Sequence, residues 1–478
     1  MLRQRHHQSS HHESDWQHLA NKQRCQIVGS AAGEFCERSD KLIDACASAQ
    51  RIDPVETIAS ELIPLCAALR YLGKRGARVL APRRVGFRGR PIWMFGVRSV
   101  VHRVPLGDVL VLGTWNYPLL LAGVQIAQAL AAGNRVLFKP AEGTQQSSEI
   151  MAECFYSAGV PRSQLSLLET QTAAATTAIE GGVDLIVLTG AASTGRKVLQ
   201  SAAPQLSASI MELSGCDAAI ALPGFDLDRL LDALQFGLRF NASATCIGPR
   251  RLMLRQPDRD AVLSGLVSKF GDEPAVIVHP AARENVARQI DAALESGARD
   301  LLGRYDSRAL LETGKLHPVV LDGVTESDSI ASADLFAPVL SLMTVRDNQH
   351  AARLVNDCPY RLAASVFGPV DQASELAERL AVGTVTINDL IAPTGDPRVP
   401  FGGRGQSGFG VTRGPEGLLA MTAAKVISTR RGSFTLHLRP RQSRDKALLH
   451  GALHWLYGGS LGKRLAGLRQ IVDGVKKT

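Results

Sequence analysis

From Val109 to Asn134 the chain carries no charged residue, yet its apolar run is interrupted as a membrane span would not be. "VLVLGTWNYP" is a short apolar run ended by Gly113 and broken at Asn116, Tyr117 and Pro118, which suits a buried strand followed by a turn. "LLLAGVQIAQALAAGN" then has helical character and stops at Gly133-Asn134, a C-terminal helix signal. "RVLFKP" is a second buried strand. Strand, helix and strand within about thirty residues form a βαβ unit, the building block of a parallel sheet. The pattern recurs in "VDLIVLTG", in "STGRKVLQSAAPQL" with Ser193 or Thr194 as the expected helix cap, and in "SIMELSG" and "AAIAL". A second α/β region runs from "AVIVHP" through "RENVARQIDAALESG", "PVVLDGV", "APVLSLMTV", "SVFGPV" and "DQASELAERLAVG" to "TVTIN". Two α/β lobes follow from this reading.

Ahead of the lobes, residues 16 to about 80 are helical in pattern. In "PVETIASELIPLCAALRYL", Ile58, Leu62, Cys66 and Leu69 or Leu72 fall on one face. "PIWMFGVRSVVHRVPLG" reads as two short strands around Gly96, an exposed hairpin. The first fourteen residues, with four histidines, read as a flexible polar arm in preference to a metal site.

Length and composition narrow the class. A chain of 478 residues needs two or three domains, and 45% hydrophobic with 21% charged residues is ordinary for a globular protein. Aromatics are only 5%, and there is no aromatic-studded basic groove for single-stranded nucleic acid. Eight cysteines without a CxxC pair, after a polar N-terminal stretch, point to free thiols in the cytoplasm. The net charge of +9 is local: from Arg439 onward nine basic residues face two acidic ones, for +7. The other 438 residues carry 45 basic and 43 acidic side chains, for +2.

Familiar signatures fail. "GRGQSG" fits G-x-G-x-x-G but follows the proline-broken "PRVPFG", so it is no dinucleotide fingerprint; nor is there a phosphate loop, an H-E-x-x-H or a metal-ligand spacing. Four residues remain as candidates for chemistry. Cys246 lies in "FNASATC". Asn116 sits on a turn after a buried strand, where α/β sheets place functional side chains. Glu212 is an acid in an otherwise uncharged strand, costly to bury unless paired or functional. Lys139 ends a strand at an edge suited to anionic ligands. Taken singly, each also has an ordinary structural reading as core thiol, turn residue, paired acid or solvated cation.

Taken together, "PLGDVLVLGTWNYPLLLAGVQIAQALAAGNRVLFKPAEGT", "VDLIVLTGAASTGRKVLQSAA", "MELSG", "FNASATC", "DLFAPVL", "VNDCPYRLAASVF", "GTVTIN" and "PFGGRGQSGFG" resemble, in order, the motifs of the NAD(P)-dependent aldehyde dehydrogenase superfamily over roughly residues 100 to 425. The chain ends and the "GTWNYPLLL" wording are most similar to the class 3 branch. The resemblance implies an α/β fold with a Rossmann-like cofactor domain, an α/β catalytic domain and a small oligomerisation hairpin. Its parts would be a flexible arm at 1–15, a cofactor domain at 16–212 with the hairpin near 90–104, and a catalytic domain at 213–403. A return at 404–438 would include the strand "SFTLHLR", and 439–478 would be a basic amphipathic tail. It implies that Cys246 is the nucleophile, that Asn116 with the Cys246 N–H stabilises the oxyanion, and that Glu212 is the general base for thioester hydrolysis. It places NAD, with NADP the second candidate, against Lys139, Glu142, Thr189, Gly190, Asp334 and Phe336, with Trp115 and Phe401 lining the pocket. The expected partner is a small-molecule aldehyde, with a homodimer as the assembly.

The sequence departs from the family pattern at several supports. Ser243-Ala244 replaces the usual Gly-Gln, "ELSGC" replaces "ELGGK", Asp334 replaces a glutamate, Ala191 a polar residue, and Ala337 and Arg361 glycines. Two rivals stay open: a relative that exchanges the acyl group with coenzyme A, and a family member that has lost turnover and serves as a binding protein. In the tail, Leu449, Leu453 and Leu456 share one helical face, and Leu461, Leu465, Leu468, Val472 and Val475 another, with Gly458-Gly459 between. Such helices either pack on protein or rest on a membrane surface through Trp455, Tyr457 and the basic residues.

Overall fold

The structure, a computed structural model, describes residues 15–432 and 436–476. Most of the expected polar arm, and Ser433–Thr435 of the expected "SFTLHLR" strand, lie outside them. The chain divides into two compact units, one formed by residues up to Pro82 with His102–Lys425 and the other by Arg83–Val101 with Val426–Thr478.

Among the described residues the larger unit holds two large sheets beside two two-stranded ones. The first contains β1 (Asp108–Leu112), β2 (Arg135–Lys139), β3 (Leu165–Leu167), β4 (Leu185–Gly190) and β5 (Ala208–Leu213). The second contains β6 (Asp217–Ala221), β7 (Pro249–Arg255), β8 (Arg299–Asp300), β9 (Val319–Asp322), β10 (Val339–Val345), β11 (Ala363–Phe367) and β12 (Thr384–Ile387). A returning segment, β13 (Gly408–Phe409), closes the first sheet, whose order is β3-β2-β1-β4-β5-β13. Strands β1 to β5 are parallel, and β13 is antiparallel with Gly408 opposite Glu212. The second sheet runs β8-β9-β10-β7-β6-β11-β12, all parallel except β8. Parallel strands covered on both faces need continuous apolar runs, which is why "VLVL" and "LIVL" lack alternation. "GRGQSG" is a loop with two-residue strands, as its prolines suggested.

Helix α1 (Leu120–Ala132) follows β1, and Gly133 terminates it at φ 97°. Its first turn has no side-chain cap of its own. Glu61, fully buried, supplies one from a distant segment: Oε2 accepts the backbone N–H groups of Leu119 (2.6 Å) and Leu120 (3.0 Å). A carboxylate at a helix N-terminus is favourable, and its remaining oxygen is paired with the buried Arg51 guanidinium. Helix α2 (Ala192–Ala202) starts from Ala191, not from the expected Ser193 or Thr194 cap, and its first turn carries no side-chain cap bond.

Three other expectations need correction. Leu62, Leu65, Leu69 and Leu72 form the buried face of the segment after Pro54, whereas Ile58 is exposed and Cys66 half-buried. Wider helical turns at Ile58–Leu62 and Leu72–Gly76 shift the face by a residue, which a uniform 3.6-residue period misses. "PIWMFGVRSVV" is not a hairpin around Gly96: Ile92–Met94 is a helical turn, and Val97–Pro105 pairs with Arg83–Arg84 and Thr422–Arg430. Leu436–Leu438, from the expected strand "SFTLHLR", is a helical turn.

In the smaller unit, α3 (Asp445–Tyr457) and α4 (Leu461–Lys476) pack as a helical hairpin. The packed faces are glycine: a Cβ on Gly451 would fall 2.8 Å from the Gly467 carbonyl, and one on Gly467 would fall 2.5 Å from the Trp455 nitrogen. The leucines point elsewhere. Leu449, Leu453, Leu461, Leu465 and Val475 are all more than half exposed. No helix among the described residues is long and apolar enough to cross a membrane.

Breaking one half of a buried ion pair leaves an uncompensated charge, a loss of about 3–5 kcal/mol. Glu61→Ala is therefore expected to lower urea-unfolding stability by that order, and retention of the wild-type midpoint would show that the pair carries no such role.

Candidate active site

Three strand ends of the first sheet converge on one cavity of about 350 Å³. Beyond β1 come Thr114, Trp115 and Asn116; β4 ends in Thr189 and Gly190; β5 ends in Glu212 and Leu213. The opposite wall is built from Cys246, His279, Ala281, Ala282, Asn285, Val286, Asp334, Phe336, Leu362 and Phe401. Crevices at the carboxyl ends of parallel strands are where α/β sheets bind ligands. Nine of the eleven site residues expected from the sequence, Cys246, Glu212, Asn116, Trp115, Thr189, Gly190, Asp334, Phe336 and Phe401, line this one space. Lys139 and Glu142 do not. Lys139 ends β2 opposite Leu112, its carbonyl accepting Gly113 N–H at 2.9 Å, and Glu142 is exposed just beyond.

The loop carrying Cys246 is bent unusually. Asn241, Ala242 and Ser243 lie in the left-handed region at φ 53°, 50° and 61°. For residues with a Cβ each such position costs roughly 1–2 kcal/mol, so the turn must be held from outside. Two buried arginines hold it. Arg51 donates from Nε (3.1 Å) and Nη2 (3.0 Å) to Asn241 Oδ1, and from Nη2 to the Asn116 carbonyl. Arg250 donates to Ser243 Oγ (2.7 Å), to the carbonyls of Ser243 (2.7 Å) and Thr245 (3.1 Å), and to that of Ala337 (2.9 Å). Asn116 joins the same network. Its Nδ2 donates one hydrogen to the Ala244 carbonyl at 2.8 Å, and its Oδ1 accepts from Thr114 Oγ1 at 2.8 Å. The Tyr117 hydroxyl bonds Thr245 Oγ1. The amide and the cysteine are thus parts of one hydrogen-bonded piece.

Burial sets the electrostatics. It pushes the Cys246 thiol up to about 12, with the charges of Asp217 and Glu212 adding to the effect and Arg413 opposing it. Glu212 is likewise raised by burial, while Arg413 and three hydroxyl or amide donors pull it back. Those donors are explicit: Gln125 Nε2 (3.0 Å) and Thr189 Oγ1 (3.2 Å) on Oε2, and Thr412 Oγ1 on Oε1. A carboxylate poised upward and a neutral thiol in one cavity suit proton transfer between them.

The remaining surface fits a dinucleotide. Asp334 Oδ1 is buried without a hydrogen-bond partner, and burial raises this carboxyl to about 6. An orphaned acceptor of that kind matches a ribose hydroxyl. The uncapped first turn of α2 offers backbone N–H groups to a pyrophosphate. A Cβ on Gly190 would meet only Leu188, at 3.6 Å, so the space beside this glycine is open. Trp115 stacks on His279 with centroids 4.3 Å apart and lies 6.1 Å from Phe336, an aromatic wall across the cavity.

Sequence reasoning missed Arg51, Glu61, Gln125, Arg250, Thr412 and Arg413. Two left signals: Glu61 is a lone acid in "SELIPLC", and Gln125 a polar residue within an apolar helix. The arginines left none, since carbonyl and amide partners give an arginine no characteristic spacing in the sequence.

Residues 5–427 match the sequence model of the "Aldehyde dehydrogenase family". The chain is 30% identical over 430 residues to a succinate-semialdehyde dehydrogenase [NADP(+)] of Deinococcus radiodurans, covering 86% of this chain and 87% of the relative. It is also 30% identical over 413 residues to a 4,4'-diapolycopene aldehyde oxidase of a Methylomonas species, covering 84% and 77%. Among solved structures, an aldehyde dehydrogenase of Mycobacterium tuberculosis complexed with NAD+ superposes with a TM-score of 0.79 at 27% identity, covering 86% of each chain.

A thiol titrating near 12 is almost wholly protonated at neutral pH. Alkylation of Cys246 by iodoacetamide, followed by peptide mapping, is expected to quicken about tenfold per pH unit between 7 and 9. A rate that levels off below pH 8 would show an already ionised sulfur.

Proposed function

The chain belongs to the aldehyde dehydrogenase family, and from that premise we propose how its cavity divides the work of oxidising an aldehyde to its carboxylic acid with NAD(P)+. The observation carrying the assignment is the meeting of Cys246, Glu212 and Asn116 in one cavity from separate segments. Cys246 Sγ bonds to the carbonyl carbon as Glu212 takes the thiol proton. The resulting oxyanion lies against Asn116 Nδ2 and the Cys246 N–H, a pair of donors of which one alone is typically worth about 3–4 kcal/mol. NAD(P)+ held in that cradle would supply the hydride acceptor that lets the thiohemiacetal collapse to a thioester. Once Glu212 has passed the thiol proton to solvent it removes a proton from water, hydroxide adds to the thioester carbon, and the C–S bond breaks as the departing thiolate takes that proton back from Glu212, releasing the acid. Asp334, the α2 N-terminus, Thr189, Gly190, Trp115 and Phe336 would hold the cofactor, with Lys139 and Glu142 at its adenosine end. Glu212 favours hydrolysis over transfer to coenzyme A, and an intact reacting trio speaks against a binding-only role.

The substrate we propose is an uncharged, apolar aldehyde. Trp115, Leu121, Phe336, Leu362 and Phe401 line the cavity and no lysine or arginine does so among the described residues. His279 is pushed down by burial and by Arg283, which leaves it neutral at pH 7. A substrate carboxylate would find no cation there. This separates the chain from the succinate-semialdehyde relative and brings it nearer the one named for diapolycopene aldehyde.

The cofactor domain at 16–212, the catalytic domain at 213–403, the return through 404–438, a class 3-like homodimer and a cytoplasmic location complete the proposal. All eight cysteines are unpaired, as a reducing compartment requires. Exposed Phe87, Ile92, Trp93 and Phe95 support a covered surface on the smaller unit. We assign the tail hairpin to an anionic lipid surface. Its glycine faces are used in packing, Leu449, Leu453, Leu461 and Leu465 remain exposed, and the segment from Arg439 carries +7.

Glu212→Gln, which removes the base for both steps, is expected to slow NADH formation strongly and to limit it to one equivalent per active site, while Cys246→Ala gives none; steady turnover in either variant would remove these roles. Over a panel of aldehydes the wild type should favour apolar chains and release free acid without coenzyme A. Sedimentation with phosphatidylserine vesicles should deplete the full chain from the supernatant, and a variant truncated after Arg431 should stay behind. Equal supernatant fractions for both would sink the lipid assignment.

A further inference from the structure

The sequence places a serine, not a glycine, two residues before the Thr245-Cys246 pair, and the structure gives Ser243 a left-handed backbone at φ 61°. Glycine adopts this conformation without strain; serine does not. Opposite it lies Arg250, only 3% exposed, whose Nη1 and Nη2 reach the Ser243 hydroxyl and carbonyl at 2.7 Å each. The same Nη2 also reaches the Thr245 carbonyl at 3.1 Å. Gly248 admits the guanidinium, since a Cβ there would stand 3.1 Å from Nη2.

We propose that Arg250 is the positioning residue for the nucleophile, compensating Ser243 for the absent glycine and fixing the peptide plane that joins Thr245 to Cys246. In a trans peptide the C=O and N–H point in opposite directions. Holding the Thr245 carbonyl against the guanidinium therefore aims the Cys246 N–H to the side away from Arg250. The guanidinium thus sets the direction of the donor and the place of the thiol together. Its charge is also felt at Cys246, Asp217 and Asp334, so a neutral replacement changes the field around the thiol as well as its position. Arg51 grips the other end of the turn through Asn241, which leaves Ser243 to Arg250.

The inference rests on the reading of Cys246 as nucleophile, and its test separates the two. Arg250→Met is expected to lower kcat on the order of 100-fold, as a misplaced reacting group does, with KM for the aldehyde changed by less than about threefold. Ser243→Gly in that background should restore at least about tenfold of kcat, because glycine holds the turn unaided, while Ser243→Gly alone stays near wild type. A merely structural arginine predicts no such rescue. Iodoacetamide labelling of Cys246 should slow in Arg250→Met and recover in the double variant, whether or not any aldehyde turns over. Wild-type protein with no aldehyde oxidation would defeat the parent reading, and the labelling ratio would still judge Arg250. Should Arg250→Met fail to show a cooperative melt, Arg250→Lys with and without Ser243→Gly takes its place. Wild-type kcat and labelling in the single variant, or no gain from glycine in a folded one, overturns the proposal.

Discussion

The site depends on a backbone held where side-chain-bearing residues resist going. Three consecutive non-glycine residues in the left-handed region precede the cysteine. Without Arg51 and Arg250 the turn would relax and carry the thiol with it. Both arginines are buried, and both spend hydrogen bonds on backbone carbonyls. A guanidinium suits this task because its planar fork satisfies several acceptors at once and keeps its charge when desolvated. Arg51 also joins Glu61 to the start of α1, so the helix after the first strand, the Asn116 turn and the cysteine loop share one set of bonds. Strain in the loop is thereby spread over residues nearly two hundred positions apart.

Much of this was legible in the chain. Strands buried on both faces announce themselves as unbroken apolar runs, and functional residues sit where such runs break: Asn116 after "VLVLG", Glu212 at the end of "SIMEL". Residues that look out of place in a pattern are easily seen. Arg51, Arg250 and Arg413 were not, because an arginine that bonds scattered carbonyls and amides obeys no period along the chain. The expected hairpin near Gly96 failed for a related reason: the strand Val97–Pro105 takes a partner from Thr422–Arg430, more than three hundred residues on. The wide turns at Ile58–Leu62 and Leu72–Gly76 moved a helical face that regular spacing had placed one residue away.

Substitutions in the family's motifs look different once their neighbours are known. Ser243 is matched by Arg250 and Ala337 offers a carbonyl to the same guanidinium, so two departures meet at one side chain. Asp334, shorter than the usual glutamate, keeps an unpartnered oxygen. Thr412 adds a third donor to Glu212.

A sulfur kept in its neutral form is also kept out of harm's way. Peroxides attack the ionised form, and the path beyond the sulfenic stage to sulfinic and sulfonic acids has no general way back. The burial that holds the Cys246 thiol near 12 therefore makes its first step dependent on a base, and between turnovers it shelters the atom from oxidants that exposed, acidic thiols meet first.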